Sequence, residues 1–358
     1  MKKILIALAA AVAALAACSK SEIAYEQPEE ISITPFALNR TKAMVSGTEF
    51  PAENFMVWAY YKQLPAGTTI AAWQANTDAD KAQQLYINEK EFKPSATKGL
   101  WGGVTPYYWP KIGSLLFAGY YPTTAASLVD YKFTATENVM TINGYKPGFV
   151  DIKNTGVHQE DLMYFNMTAT SSDGSTVGTQ NTVTTGSQID VVFRHALSWI
   201  EVILTKDADT PDDAKITVNY VKFTNILPEG KGAINNSASD NEIKWTPYGT
   251  AADVTVTENS GHVIAKNNTT PLDKQPLFIP QGMNDLIINY TIASKDESKF
   301  TETKTINLNK LGSLTGTMGS NSWQPGKKYT YTITIGTSEI LIDPVVAEWD
   351  GVKVPIGI

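Results

Sequence analysis

The chain has 358 residues, 42% of them hydrophobic and 10% aromatic, which is enough for packed cores and for two domains. The formal net charge of −7 and the pI near 5.1 exclude the basic face that nucleic-acid binding requires. The single cysteine, Cys18, excludes an intramolecular disulfide.

The N-terminal residues predict export and lipid attachment. After two lysines, the apolar run at 4–14 is too short to span a bilayer permanently, and one apolar and two small residues follow at 15–17. A lipoprotein-type signal peptidase requires this pattern directly before its cysteine. We therefore expect residues 1–17 to be a cleaved signal peptide, Cys18 to carry the lipid, and residues 18–30 to form a polar tether.

Segments rich in β-branched and aromatic residues occur along the whole chain and predict β-strands. In chain order the clearest are Phe55–Tyr61, Ser114–Tyr120, Ile189–Leu204, Ile216–Phe223, Leu286–Ile292 and Tyr329–Ile335. Turns are expected at Asn143-Gly144, Pro147-Gly148, Pro228-Glu229-Gly230 and Pro325-Gly326. One short helix is expected within Ala71–Gln84. The chain is therefore predicted to be all-β.

A domain boundary is predicted near the middle of the chain. Residues 168–187 are mostly Thr, Ser, Gly and Asn, with almost no large apolar side chain, and cannot bury much surface. This predicts an N-terminal β-sandwich domain at 31–170, a linker at 171–187, and a C-terminal β-sandwich domain at 188–358.

The sequence has no pattern typical of an enzyme. Its three histidines, His158, His195 and His262, have no metal-ligand spacing, and nucleophile-elbow and P-loop motifs are absent. His195 lies in a strand pattern, which favours a packed or edge histidine. We expect no catalytic site, no metal and no cofactor.

Three other groups of residues have both a functional and a structural interpretation. Two of them are acidic: Asp212 with Asp213, or His158 with Glu160 and Asp161, could supply a carboxylate pair, and the second group could also bind a calcium ion weakly. The third is a candidate sugar-stacking platform of Trp73, Trp101, Trp109 and Tyr107-Tyr108. Carboxylates in polar loops are usually only solvated. Aromatic residues in a β-sandwich more often belong to the core.

Several segments, in this order and spacing, resemble the fimbrillin family, the lipoprotein-derived or type V pilins. Besides Cys18, they are Tyr107-Tyr108-Trp109-Pro110, Phe117–Pro122, Asp161–Tyr164, Phe193–Val202, Trp323–Tyr329 and Val345–Val352. The resemblance implies two transthyretin-like β-sandwich domains in tandem and export to the outer membrane and cell surface. It also implies proteolytic removal of the N-terminal segment and polymerisation by strand exchange. The implied partners are other copies of the chain, related fimbrial subunits, and host or bacterial surface ligands.

The C-terminal residues predict a donor strand. Val352, Val354, Ile356 and Ile358 alternate with other residues, so one face of an extended strand would be wholly apolar. A free apolar strand of this kind is an aggregation hazard, whereas in a neighbour's groove it would pair by β-augmentation. The alternative is that it completes the sheet of its own domain.

The matching groove is expected to form by proteolysis. Residues 30–39 are apolar enough for one strand of the first domain, and the basic residues Arg40 and Lys42 follow in a polar sequence that a trypsin-like protease could cut at either position. We therefore expect a polymerising shaft subunit of a fimbrium. The alternatives are a surface glycan-binding lipoprotein, or a tip or anchor subunit.

Overall fold

A computed structural model of the protein describes most of the chain between Glu29 and Glu348. The described residues are 29–37, 50, 52–64, 70–77, 83–110, 113–134, 137–151, 161–166, 189–235, 242–257, 261–295, 298–310, 321–337 and 340–348.

Within these residues the protein is almost entirely β-structure, which confirms the predicted all-β class. The helical elements are one short α-helix, α1 (Ile70–Ala75), a 3-10 turn at Thr123–Ala125, and helical residues at 308–310. The strands are β1 (Ser32–Ala37), β2 (Phe55–Lys62), β3 (Gln84–Pro94), β4 (Trp101–Gly103), β5 (Ser114–Tyr121), β6 (Val129–Phe133), β7 (Asn138–Tyr145), β8 (Phe149–Asp151), β9 (Met163–Asn166), β10 (Ile189–His195), β11 (Ser198–Lys206), β12 (Lys215–Ile226), β13 (Glu229–Asn235), β14 (Ile243–Tyr248), β15 (Ala252–Thr255), β16 (His262–Val263), β17 (Lys274–Phe278), β18 (Asp285–Ala293), β19 (Lys299–Asn307), β20 (Lys327–Ile335) and β21 (Ile340–Glu348).

The first part of the fold is a closed seven-stranded sheet in the order β1-β10-β9-β5-β2-β3-β4, with β4 returning to β1. A four-stranded sheet, β14-β13-β7-β6, packs its apolar face into the same core. The strand β6 alternates buried and exposed residues strictly, because its two faces meet core and solvent in turn.

The second part is a sandwich of two sheets. One sheet has the order β21-β20-β11-β17-β8, and the other has the order β15-β12-β18-β19, with β16 beside β12. The side chains between them form a second core around Phe223, Phe278, Trp323 and Tyr331. The Phe223 ring lies 5.6 Å from the Phe278 ring and 5.8 Å from the Tyr331 ring, measured between centroids.

The two cores do not divide the chain at residue 188, where the predicted C-terminal domain begins. The strand β10 closes the first sheet, and β13 and β14 join β7, so residues from both sides of the predicted linker share the first core. These are long-range pairings that a local residue pattern cannot reveal. The linker at 171–187 lies outside the described residues, and the tandem-domain division stays a prediction.

Three local predictions differ from the structure. The expected helix within 71–84 is shorter, since α1 ends at Ala75 and Gln84 already begins β3. The segment 189–204 forms two strands, because the chain crosses from the first core to the second at Ala196 and Leu197. The Asn143-Gly144 pair is a β-bulge inside β7 instead of a turn, and Gly144 has the positive φ of 75° that the bulge requires.

Candidate functional site

The strand β1 closes the first sheet. It runs parallel to β10 from the Ile33–Ile189 pair to the Ala37–Phe193 pair, and antiparallel to β4 at Ser32 and Ile33. The side chains of Ile31 and Ile33 are completely buried. Burying an isoleucine contributes about 1.5 to 3 kcal/mol, so these two residues hold the segment with roughly 3 to 6 kcal/mol.

Backbone hydrogen bonds extend this pairing beyond the N-terminal end of β1. The Ile31 amide donates to the Tyr107 carbonyl at 2.7 Å, and the Trp109 amide donates to the Glu29 carbonyl at 2.9 Å. We call the strip between β10 and β4, with residues 107–109 at its end, the β1 slot. Emptying the slot would expose two strand edges and the core beneath Ile31 and Ile33.

An aromatic cluster lies at the Ala37 end of the β1 slot. The Phe50 ring is 4.4 Å from the Phe193 ring and makes edge contacts with Phe55, Trp101 and Tyr121 at 5.5 to 5.9 Å. Phe193 is the register partner of Ala37. The chain that leaves β1 therefore returns to the same end of the slot at Phe50, with Arg40 and Lys42 on the connecting segment.

The predicted site residues themselves are outside the described part of the chain. This holds for the lipidation residue Cys18, for the cleavage residues Arg40 and Lys42, and for the donor residues Val352, Val354, Ile356 and Ile358. The described chain ends with β21, an edge strand that pairs antiparallel with β20 from Ile335–Ile340 to Lys327–Glu348. The expected donor residues follow β21 after a connection of three residues, 349–351.

His195 is a packed histidine, as expected from its strand pattern. It is 2% exposed, and its Nδ1 lies 2.5 Å from Oδ2 of Asp161, which is 1% exposed. This contact joins the end of β10 to the residues just before β9. Asp161 is thus a core residue, and His158 and Glu160 lie outside the described residues.

The remaining acidic and aromatic candidates are structural where they are described. Lys266 forms a 2.8 Å ion pair with Asp212, and this hydrogen bond lowers the pKa of Asp212. The described residues contain no group of three His, Cys, Asp or Glu side chains placed to hold a metal. The predicted sugar platform is mostly core: Trp73, Trp101 and Trp109 are buried, and of this set Tyr108 is the exposed member.

Several ionisable groups of the first core are buried with their hydrogen-bond partners. The Tyr120 hydroxyl donates to Glu89 Oε1 at 2.7 Å, and burial together with this contact raises the pKa of Tyr120. Lys62 Nζ donates to the carbonyls of Trp73 and Asn76 at 2.6 and 2.7 Å, holding the end of α1, and burial lowers the pKa of Lys62. These hydrogen bonds stabilise the first core.

Sequence reasoning missed the two walls of the β1 slot. Nothing local predicts that residues 33–37 pair with 189–193, because parallel pairing has no turn signal. In the sequence, the aromatic side chains of residues 107–109 suggested a sugar-stacking platform. In the structure, the backbone of this segment hydrogen-bonds to Glu29 and Ile31. Among the residues that the structure describes, no helix has the length and apolarity needed to cross a membrane.

Comparisons with known proteins agree with this architecture. A search of curated proteins found no match. Among solved structures, a fimbrial protein of Bacteroides vulgatus ATCC 8482 is 16% identical with a TM-score of 0.50, and the match covers 90% of this chain and 100% of that one. A candidate cell adhesion protein of Bacteroides uniformis ATCC 8492 is 17% identical with a TM-score of 0.48, over the same shares.

At 16% identity, the likeness to the Bacteroides vulgatus fimbrial protein shows the fold alone. The family comparison goes further, since a model described as fimbrillin-like matches residues 59–349, which is most of the chain. The match includes β10, β20 and all of β21, and it stops just before the expected donor residues. The chain therefore belongs to the fimbrillin-like family, a family of fimbrial proteins and not of enzymes.

Proposed function

We propose that this protein is a structural subunit of a surface fimbrium that polymerises by protease-triggered strand exchange. The fimbrial family implies a cell-surface location and assembly with other fimbrial subunits. In our proposal a protease cuts after Arg40 or Lys42, β1 leaves its slot, and residues 352–358 of a neighbouring copy fill it. The observation that carries the proposal is that β1 alone closes the first sheet, through its pairs with β10 and β4.

The residue pattern of the tail suits the β1 slot. The inward positions Ile31, Ile33 and Pro35 are buried and alternate with partly exposed ones, as in any strand with one covered face. If residues 352–358 are aligned with 31–37, Val352, Val354 and Ile356 fall on these three buried positions, and Lys353 falls on the outward position of Ser32. The period of the donor thus matches the period of the strand that it replaces.

The energies require the backbone ladder as well as the side chains. Burying the four apolar residues of the tail contributes roughly 6 to 12 kcal/mol, whereas association costs on the order of 4 to 15 kcal/mol. The vacated slot offers β10 on one side, and β4 with the Tyr107 carbonyl and the Trp109 amide on the other. Pro355 has no amide hydrogen and would interrupt this ladder once.

The lipid anchor belongs to the stage before the cut. We propose that Cys18 attaches the precursor to the outer membrane, so that cleavage after Arg40 or Lys42 frees the subunit and empties its slot in one step. An uncut copy keeps both its lipid and its β1, and would stay at the membrane as an anchor.

Mild trypsin treatment of the purified precursor, followed by electron microscopy, tests the proposal. We expect filaments from the parent protein, none from Arg40→Gln/Lys42→Gln, and none from a chain that lacks residues 352–358. Val354→Asp is the test variant and Lys353→Asp is its matched control, because only Val354→Asp places a charge on the apolar face of the tail. Filaments that persist without the tail, or without the cut, would overturn strand exchange.

A further inference from the structure

A pocket of about 340 Å³ lies where the two cores meet. It is lined from the first core by β14 and from the second by the segments 280–282 and 322–325. Its lining combines the rigid side chains of Trp245, Pro247, Pro280, Trp323 and Pro325 with polar ones, which are Glu242, Lys244, Gln281, Ser322 and Gln324. We call it the Trp245 pocket.

The indole of Trp245 is held rigidly in this pocket. Its Nε1 donates to the Ala196 carbonyl at 2.7 Å, so its polar group is already satisfied inside the protein. The ring lies against the backbone of β13, because a Cβ at Gly230 or Gly232 would come within 2.8 and 3.2 Å of it. Rigid aromatic and proline surfaces lose little conformational entropy on binding, which suits them to a protein contact.

The pocket lies beside the point where the chain leaves β21. Glu348 is the register partner of Lys327, and Pro325 precedes Lys327 by two residues. The connection 349–351 reaches at most about 14 Å before Val352 begins the donor strand. The short connection therefore holds an accepting subunit close to the end of β21 and to the surface that contains the Trp245 pocket.

One end of the β1 slot carries exposed tyrosines. Tyr108 pairs with Glu30 just before β1, and its ring is 42% exposed. Tyr86, 37% exposed, donates from its hydroxyl to the Tyr108 carbonyl at 2.5 Å. Two neighbouring aromatic side chains therefore face solvent at the Glu29 end of the slot.

The cut favours entry of the donor at this same end. Cleavage after Arg40 or Lys42 frees the chain that precedes β1 at the Glu29 end, whereas Phe50 stays packed against Phe193 at the Ala37 end. A donor that enters at the Glu29 end runs in the direction of β1. It then reuses the pairing that β1 makes with β10, β4 and residues 107–109.

We propose, resting on the strand-exchange function above, that the Trp245 pocket of the donor subunit seats Tyr86 and Tyr108 of the acceptor subunit. This contact sets the direction of the inserted strand and adds apolar burial outside the slot. The occupant of the pocket is thus a second copy of this chain, bound at the Glu29 end of its β1 slot.

A pair of role-restricted chains tests the assignment. Arg40→Gln/Lys42→Gln keeps β1 and can only donate, whereas the trypsin-cut chain without residues 352–358 can only accept. Mixed, they should give one-to-one dimers by size-exclusion chromatography. Trp245→Ala should weaken the dimer at least tenfold in the donor and leave the acceptor role unchanged, with Trp245→Phe largely restoring it. Tyr108→Ala should weaken the dimer in the acceptor and leave the donor role unchanged.

If Trp245→Ala and Tyr108→Ala weaken the dimer equally in the donor and in the acceptor, or in neither, the inference is overturned. If the parent chains form no dimer, strand exchange fails first and the inference fails with it. If the isolated acceptor aggregates, filament formation is measured instead of dimer formation.

Disulfide crosslinking tests the contact directly. In a Cys18→Ser chain without other thiols, Tyr108→Cys combined with Glu242→Cys should give, after oxidation, a ladder of crosslinked subunits on a denaturing gel. Tyr108→Cys with Lys299→Cys should not, and filaments with no ladder from the first pair would refute the contact.

Discussion

Replacing Ile33 by alanine should destabilise the precursor but not the filament. Ile33 is completely buried and paired on both sides, with Ile189 of β10 and Trp101 of β4. An isoleucine-to-alanine change in such a core costs about 2 to 5 kcal/mol through lost burial and the cavity that remains. For a core of this size the unfolding midpoint should fall by roughly 5 to 15 °C.

The same substitution is informative because strand exchange discards β1. Thermal melts should be recorded on the uncut precursor and on trypsin-assembled filaments, for Ile33→Ala and for the matched control Leu341→Ala. Leu341 is 53% exposed on β21, so its truncation should change both melts little. A filament destabilised as strongly as its precursor by Ile33→Ala would mean that β1 stays in place, which would refute the mechanism.

Three further predictions concern groups outside the slot. Lys62→Met should cost about 2 to 4 kcal/mol by chemical denaturation, because two helix carbonyls lose their buried donor, whereas Gln63→Met at the exposed neighbouring position should be nearly neutral. His195→Ala should cost about 3 to 5 kcal/mol, because it leaves Asp161 buried without its partner; an effect below 1 kcal/mol would mean that the pair is dispensable. Burial raises the pKa of Tyr329 from 10.0 to about 12, because it favours the neutral phenol in the folded state. The stability that this neutral phenol contributes is fully present below pH 10. About 3 kcal/mol should be lost as the pH rises from 10 to 12, a loss that Tyr329→Phe should reduce in pH-dependent melts.

The sequence predicted what local patterns encode. The segments around Phe55, Ser114, Ile216 and Leu286 all form strands, since they are rich in the β-branched and aromatic residues that favour strands. The strand context of His195 also favoured a packed or edge histidine, and the structure shows the packed alternative. Family resemblance supplied the rest of the functional hypothesis, and the family match supports it at the level of a fimbrial protein.

The sequence could not predict which strands meet. That β10 pairs with β1, and β13 with β7, depends on contacts between distant segments, which leave no periodic signal. The bulge at Gly144 imitates a turn in sequence, because both require a residue with positive φ. The Trp245 pocket was equally hidden, since its walls come from three separate segments.

The position of β1 also constrains how the protein matures. Its partner strand β10 is translated long after it, since Ile33 precedes Ile189 in the chain. Until then the isoleucine-bearing segment and the unpaired edges of the nascent sheet are open to mispairing with other chains. A closing segment in the same chain gives every copy an adjacent partner for these edges. In the proposed mechanism, fibre growth is thereby delayed until this segment has been removed.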